Sequence, residues 1–454
     1  MIGFETIGNA TLTVFDGKPV LSTDPWIEGK PYFGSWGHPY SIPKEQIENI
    51  QKSKFIWLSH GHPDHIDSAS YVHFKGSTIL IPDHYGDRIY DYFNANFDCI
   101  KIKSNKWFQI SENVRIKSFA DWNQDAALLV DILGKDLIVN VNDGGLRGWS
   151  KTIKKIIKNY KNSFLLQLIN WGDADMINFY DESGSFILPH AAEKPPVGKA
   201  YSRVMKNLKC NYAIPFSSFH KYVREDSMHM NQFSTPLKKH FEGFDNSYGV
   251  LLPAFICWDC NKEDYTKIKV EKLDNIILSA EDCGDNYSDE LTFIDKEKII
   301  KYFRSFGTIP DHFGSIVFTV GGKDFGIKLS EKLPQLRFEA PRGSLIKAIE
   351  NEIFDDVLIG NFMKTTLIGC KSLHPNFTPP VTKYGDNGLA KTKEELEKYF
   401  NYYQLNSADY WKDMFKFKTE GIVRTFISPQ SKFYNIGKSP KRGFFLFSFQ
   451  FKLL

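Results

Sequence analysis

Cysteine is scarce in this 454-residue sequence. Six are scattered along it, at Cys99, Cys210, Cys257, Cys260, Cys283 and Cys370. That density excludes a disulfide scaffold and points to a reducing compartment. Long apolar runs are missing as well: none approaches the roughly 18–20 residues needed to cross a bilayer. The opening MIGFETIGNATLTVF lacks a basic region followed by an apolar one, so no secretory signal is expected. Charge of one sign is not in excess, since 57 basic and 54 acidic residues leave a net charge of +3. That balance gives no reason to expect nucleic acid or an anionic membrane as partner. Gly-X-Gly-X-X-Gly, Walker and Gly-X-Ser-X-Gly signatures do not occur in a supporting context. The expectation is a soluble cytoplasmic protein.

What is present suffices for a large core, with 42% hydrophobic and 15% aromatic residues. The length allows two domains, or one domain with an elaborate extension. The first half reads as short β-runs: ATLTVF and PVLSTDP about a DGK turn, then FIWLSH, STILIPD, CIKIK, VRIKSF, AALLVDIL, DLIVNVND, FLLQLIN and YAIPF. Between them SKTIKKIIKNYKN places Ile153, Ile156, Ile157 and Tyr160 at helical spacing, its lysines forming a solvated face. Interleaved strands and helices argue for an α/β layered fold. Beyond about residue 255 charged helical patterns dominate, such as DKEKIIKYFRSF and KTKEELEKYFNYYQ. SIVFTVGGKDFGIKL there reads as a strand pair turning at GGKD. The expected organisation is an α/β catalytic unit over residues 1–255 and a C-terminal mixed α+β accessory region over 256–454. That region is expected to cover or shape the pocket, or to mediate formation of a homodimer.

The chemistry concentrates in LSHGHPDHIDS. His60, His62, Asp64 and His65 fall within six positions, although the chain has only 12 histidines. Imidazole nitrogen and carboxylate oxygen are the donors that Zn²⁺, Fe²⁺ and Mn²⁺ accept in mixed sites. In an extended segment, side chains two residues apart point to one side, which pairs His60 with His62. Gly61 and Pro63 then help a turn that brings in Asp64 and His65. The loop follows the apolar FIWL, at the C-terminal end of a predicted buried strand, where α/β folds place ligands.

His-X-His-X-Asp-His after a strand resembles the signature of the metallo-β-lactamase superfamily. The resemblance implies an αβ/βα sandwich with a one- or two-metal site at one edge. Thr23-Asp24-Pro25-Trp26 is similar to the early strand-end motif of several branches. The resemblance further implies Asp143, ending VNVND, as the bridging carboxylate, and a last histidine after the strand YAIPF. His220 is favoured for that role over His229. The superfamily's middle histidine has no counterpart here. Where it is expected stands ADWNQD, with Asp121 as the candidate replacement and Asp125 beside it. The implied first site takes His60, His62 and Asp121, the second takes Asp64, His65 and His220, and Asp143 bridges them. Asp64 and Asp143 are the carboxylates expected to be catalytic.

A carboxylate in place of histidine makes a harder site, better suited to iron or manganese than to zinc. Diiron amino-acid β-hydroxylases of this fold resemble the chain in that substitution. A weaker but longer similarity links TDPW, SHGHPDH, NVND and YAIPF, and FDDVLIGNFM at residues 354–363, to the catalytic part of CMP-N-acetylneuraminate hydroxylases. Those enzymes carry a Rieske domain, and Rieske ligation needs Cys-X-His and Cys-X-X-His pairs. No Cys-X-His occurs here, so electrons are expected from a separate protein. The expected cofactors are two divalent ions, iron first, with zinc or manganese as alternatives. With zinc, the same scaffold would hydrolyse an ester, amide or phosphodiester. A non-catalytic metal-binding scaffold is the third reading.

Basic residues near the ligand loops are candidates to hold a phosphate or carboxylate of a small substrate. They are Arg147 after Asp143, Lys221 and Arg224 after His220, and Lys199 and Arg203 after His190. His190 itself lies in a proline-rich loop expected to fold over the metal edge. Trp171 to Asp175 is expected to line the pocket. The CWDC pair, Cys257 and Cys260, has zinc-knuckle spacing but no second pair, and reads as structural.

Overall fold

The computed structural model describes residues 1–168 and 176–426. Two sheets face one another. In the first, the strand order is Asp264–Lys267, Ile256–Asp259, Ile2–Ile7, Thr11–Asp16, Lys18–Thr23, Phe55–Trp57, Thr78–Pro82 and Cys99–Ile102. In the second, it is Val250–Leu251, Tyr212–Pro215, Asn162–Gln167, Asp136–Asn142, Ala126–Ile132, Val114–Ala120 and Trp107–Gln109. Every strand read from the sequence is present. The DGK hairpin turns at Gly17, whose φ of 75° suits glycine.

The central strands are apolar without alternation because both of their faces are buried. In Ala126–Ile132, Leu128 and Val130 point between the sheets to meet Leu12, Val14 and Trp57. Ala127 and Leu129 point outward to Ile153, Ile157, Tyr201 and Met205 of the helices Ser150–Ile157 and Val197–Leu208. Outside the first sheet, Ile56, Ile79 and Ile81 pack on Ile50 of Lys44–Lys52 and Phe93 of Arg88–Asn96. Helix, sheet, sheet, helix is the layer order of an αβ/βα sandwich of the metallo-β-lactamase type.

A third sheet has the order Phe186–Ile187, Phe179–Tyr180, Lys364–Ile368, Gln335–Glu339, Ser315–Val320 and Lys323–Lys328. Its core is built from phenylalanines, among them Phe303, Phe318, Phe338, Phe354 and Phe377. Two helices that the sequence indicated, Phe293–Arg304 and Lys393–Asn406, each open on a capping box, at Thr292/Asp295 and Thr392/Glu395. The predicted hairpin turns at Gly321 and Gly322, with φ of 61° and 71°. Lys323 and Asp324 belong to the strand rather than to the turn.

Sheet membership crosses residue 255 in both directions. Ile256–Asp259 adds to Ile2–Ile7 in the sandwich, while Phe179–Tyr180 pairs with Lys364–Ile368 in the third sheet. The two regions thus exchange strands. Among the described residues, no helix is long and apolar enough to cross a membrane.

Candidate metal centre

The site lies where strands of both sandwich sheets end. Phe55–Trp57 delivers the loop of His60 to His65, and Asp136–Asn142 delivers Asp143. The parallel ladder beside the latter strand breaks register between Asn140 and Asn142, and Asn142 takes a φ of 52°. Asp24 (φ 42°), Tyr32 (56°), Gln124 (59°) and Ser217 (62°) share that left-handed conformation around the site. Such strain persists only where the surroundings hold it, as in functional sites.

His60, His62, Asp64 and His65 are all buried. His60 Nε2 and His62 Nδ1 face one another at 2.9 Å. Asp143 Oδ2 lies 3.7 Å from His60 Nε2 and 3.5 Å from His65 Nε2. Asp64 Oδ2 lies 3.3 Å from the same His65 nitrogen. Single donor atoms of His60, His65 and Asp143 all fall within 4.8 Å of one another. The opposite edges of the rings are tied back. His65 Nδ1 lies 3.4 Å from Asp24 Oδ2, His60 Nδ1 lies 2.8 Å from Ser59 Oγ, and His62 Nε2 lies 3.0 Å from Asp355 Oδ2. Ligand histidines are usually held in this way, by a carboxylate or other polar group on the nitrogen that does not face the ion.

The electrostatics fit a cation. Burial pushes His60 down to about 3, with help from His65, which leaves its lone pair free. Burial alone would raise Asp64, but His65 outweighs it and holds the carboxyl down at about 2. Asp143 is held far below the usual range by His65 and His60 against its burial. His65 is driven well above its ordinary value by Asp64, Asp143 and Asp24, again against burial. Three carboxylates around one buried imidazole call for positive charge, which a divalent ion supplies. Buried atoms without a hydrogen-bond partner point the same way: His65 Nε2, Asp143 Oδ1 and both ring nitrogens of His220. The residues present therefore fit a bound metal.

His220 follows Tyr212–Pro215, as read from the sequence. Its ring stacks on Trp36 at 3.5 Å and 3°, and Asp64 is the charge that opposes its burial. His229 stands apart on Met228–Phe233, with Nε2 3.4 Å from Asn178 Oδ1. Asp121, expected at the first site, is turned away. It accepts from the Asn123 amide at 2.7 Å and faces Arg147 Nη1 at 3.4 Å. Of Asp121 and Asp125 the second comes nearer to His60, its Oδ1 lying 3.9 Å from Nδ1, the edge opposite Asp143. A turn closed by Gln124 N donating to Asp121 O at 3.1 Å decides which aspartate approaches His60, which spacing alone did not reveal.

Arg147 touches this cluster, with Nη1 3.6 Å from Asp125 Oδ2. Lys221 is half-buried on a two-residue strand paired with Gly37. Arg224 is not placed to hold a substrate: it is fully buried and bound to Asp226 and to the Phe33 carbonyl. Lys199 and Arg203 lie exposed on their helix. His190 opens the short helix His190–Glu193, its side chain outside the described residues, and Trp171 to Asp175 lie outside them too. Cys257 and Cys260 are free thiols, on and just past Ile256–Asp259, the strand next to the edge of the first sheet.

The sequence reading missed several contributors. Asn9 donates to Asp64 Oδ2 at 2.8 Å and Tyr32 to Oδ1 at 2.5 Å. Asn142 donates to Asp24 Oδ2 at 2.8 Å. Asp355 and Lys383 arrive from the C-terminal region. The nearest signal was polar residues beside predicted strand ends, which is too common to single them out. Tyr32→Phe removes a hydrogen bond to a charged acceptor, worth about 1.5–3 kcal/mol. Metal affinity measured against a chelator is expected to fall roughly tenfold or more, and the apo form, which makes the same bond, to lose stability of that order.

Fold and site together define a candidate metal centre on an αβ/βα sandwich of the metallo-β-lactamase type. No protein-family profile matches the chain. A stretch of 144 residues is 24% identical to the cytidine monophosphate-N-acetylneuraminic acid hydroxylase of Asterias rubens, covering 30% of this chain and 22% of that protein. The chain thus spans about a quarter of the length of the curated relatives it matches. Among solved structures it is similar to an isothiocyanate hydrolase from Delia radicum gut bacteria, at 16% identity and a TM-score of 0.35, over 59% of this chain and 99% of the other. A variant of the CmlA β-hydroxylase is similar at 10% identity and a TM-score of 0.33, over 47% and 45%. At such scores the fold assignment rests on the chain's own topology.

Proposed function

We propose that this protein is a metal-dependent oxygenase with a dinuclear non-haem iron centre, acting on a small polar or anionic substrate. The observation that carries this reading is the pair of carboxylates Asp64 and Asp143 facing Nε2 of His65, with Asp143 also 3.7 Å from Nε2 of His60. Asp64 and Asp143 face the ring nitrogens of the site, and Asp24 and Asp125 stand behind the rings of His65 and His60, surroundings harder than a zinc hydrolase usually offers. The short match to a hydroxylase runs in the same direction.

In this reading His60 and His62 would hold one ion, Asp64, His65 and His220 would hold the other, and Asp143, near both His60 and His65, would serve the two. When bound, two irons supply activation of O₂ for hydroxylation, with electrons from an external protein. The chain's own part is to fix donors and exclude water. Asn9 and Tyr32 orient the Asp64 carboxylate. Asp24 fixes the His65 ring through Nδ1. Arg147, paired with Asp121 and Asp125 and about one-third exposed, is a cation at the rim that an anionic substrate would meet. Keeping Trp36 stacked on His220 keeps that ring dry and in one orientation.

The test is elemental analysis and an optical spectrum of protein purified aerobically without an affinity metal, with iron, zinc and manganese all supplied during expression. Two irons per chain are expected. Two zincs would sink the oxygenase reading and support hydrolysis of an ester, amide or phosphodiester. No bound metal would support the scaffold reading.

A further inference from the structure

The C-terminal region reaches into the metal centre. Helix Phe354–Ile359 carries Asp355, and the π-helical stretch Pro379–Asn387 carries Lys383. They lie 293 and 321 residues from His62, yet both meet its ring. Asp355 Oδ2 lies 3.0 Å from His62 Nε2, and Lys383 Nζ lies 3.0 Å from the same nitrogen. Lys383 Nζ also lies 2.9 Å from Asp355 Oδ2, and the side chains are 13% and 14% exposed.

One imidazole nitrogen cannot both donate to a carboxylate and accept from an ammonium. If Lys383 donates to Nε2, the neutral ring carries its proton on Nδ1, the atom that faces His60 Nε2 at 2.9 Å. If instead Nε2–H donates to Asp355, the Nδ1 lone pair is free in that direction. The carboxylate lies at hydrogen-bond distance from both partners, so it can take the ring proton and the ammonium together. That arrangement satisfies the buried ring and its two partly buried partners, and the first leaves two nitrogens of neighbouring rings in conflict over a metal.

We propose that Asp355 and Lys383 are positioning residues for the metal centre. Asp355 accepts the Nε2–H of His62 and so commits Nδ1 to the ion, while Lys383 neutralises Asp355 and holds it against the ring. Metal loading at the His60–His62 side then requires the C-terminal region to be docked on the sandwich. The inference rests on the metal-centre reading given above, but not on which metal is bound.

The full-length chain tests it, with Co²⁺ and Zn²⁺ as probes. Wild type is expected to bind two ions. Asp355→Ala is expected to retain one at near-normal affinity and to bind the other 10–100-fold more weakly in chelator competition. The Co²⁺ d–d spectrum should change in that component alone. Asp355→Glu should restore much of the affinity, and Lys383→Met should weaken the same ion less. Should Asp355→Ala fail to fold, as judged by circular dichroism, the near-isosteric Asp355→Asn decides in its place. Two ions bound as in wild type by a folded Asp355 variant would overturn the proposal and leave the metal-centre reading standing. Failure of wild type itself to bind either probe would overturn both.

Discussion

Replacing Asp143 with asparagine is expected to cost the protein at least one of its two ions, and to weaken what binding remains by roughly a thousandfold. Its Oδ2 comes within 4 Å of both His60 and His65. Its Oδ1 is buried with no hydrogen-bond partner, as suits an atom that faces an ion. Asparagine keeps the shape but removes the charge and makes one of the two ligand atoms a donor. Second-shell changes alone cost 10–100-fold in affinity, and loss of a shared ligand exceeds them. The readouts are ions per chain and the rise in Tm on adding metal. Wild-type Tm climbs with ion concentration by mass action, whereas Asp143→Asn should show little rise. The apo variant should fold as well as wild type, because Asp143 sits past the end of its strand. Two ions held at wild-type affinity would remove Asp143 from the centre.

Legibility in the sequence followed the range of the interactions. The apolar runs of the sandwich could be read because burial on both faces leaves a continuous hydrophobic signature, as in AALLVDIL and DLIVNVND. The His60–His65 loop could be read because its donors are packed into six consecutive positions. Asp143 and His220 were indicated through the resemblance, which places ligands just beyond predicted strands. Asp355 and Lys383 were not found, since contacts across some 300 residues leave no periodicity. The two-residue strand Phe179–Tyr180, which carries part of the first half into the third sheet, is too short to show a pattern. Asp121 and Asp125 were confused because a turn decides which of two nearby carboxylates faces inward.

Arg224 was misread for a related reason. A basic residue four positions after a ligand invites the idea of an anion site, and burial of a single side chain cannot be seen in a sequence. Its guanidinium is fully buried and divided among three acceptors. Nε donates to Asp226 Oδ1 at 3.0 Å, Nη1 donates to the Phe33 carbonyl at 3.0 Å, and Nη2 lies 2.8 Å from Asp285 Oδ2. Its carbon lies 4.0 Å from the centre of the Phe362 ring. Asp285 in turn accepts from Ser344 N and Oγ, and Asp226 from Tyr287. One cation therefore joins the loop after His220, the Tyr32–Phe33 loop and the C-terminal region.

Arg224→Ala leaves buried Asp285 without its counter-charge, and breaking a buried pair on one side costs about 3–5 kcal/mol. Denaturant unfolding should show a loss of that size. Arg224→Lys should recover only part, since a point charge cannot serve three directions. The double variant Arg224→Met with Asp285→Asn should lose less than Arg224→Ala, because it leaves no unpaired carboxylate at that position. A structural cation and a substrate-binding one now predict opposite results. The first gives a large loss of stability, relieved when both charges go. The second gives unchanged unfolding and a weakened KM. An Arg224→Ala protein as stable as wild type would return Arg224 to the substrate, and would detach the C-terminal region from the energetics of the site.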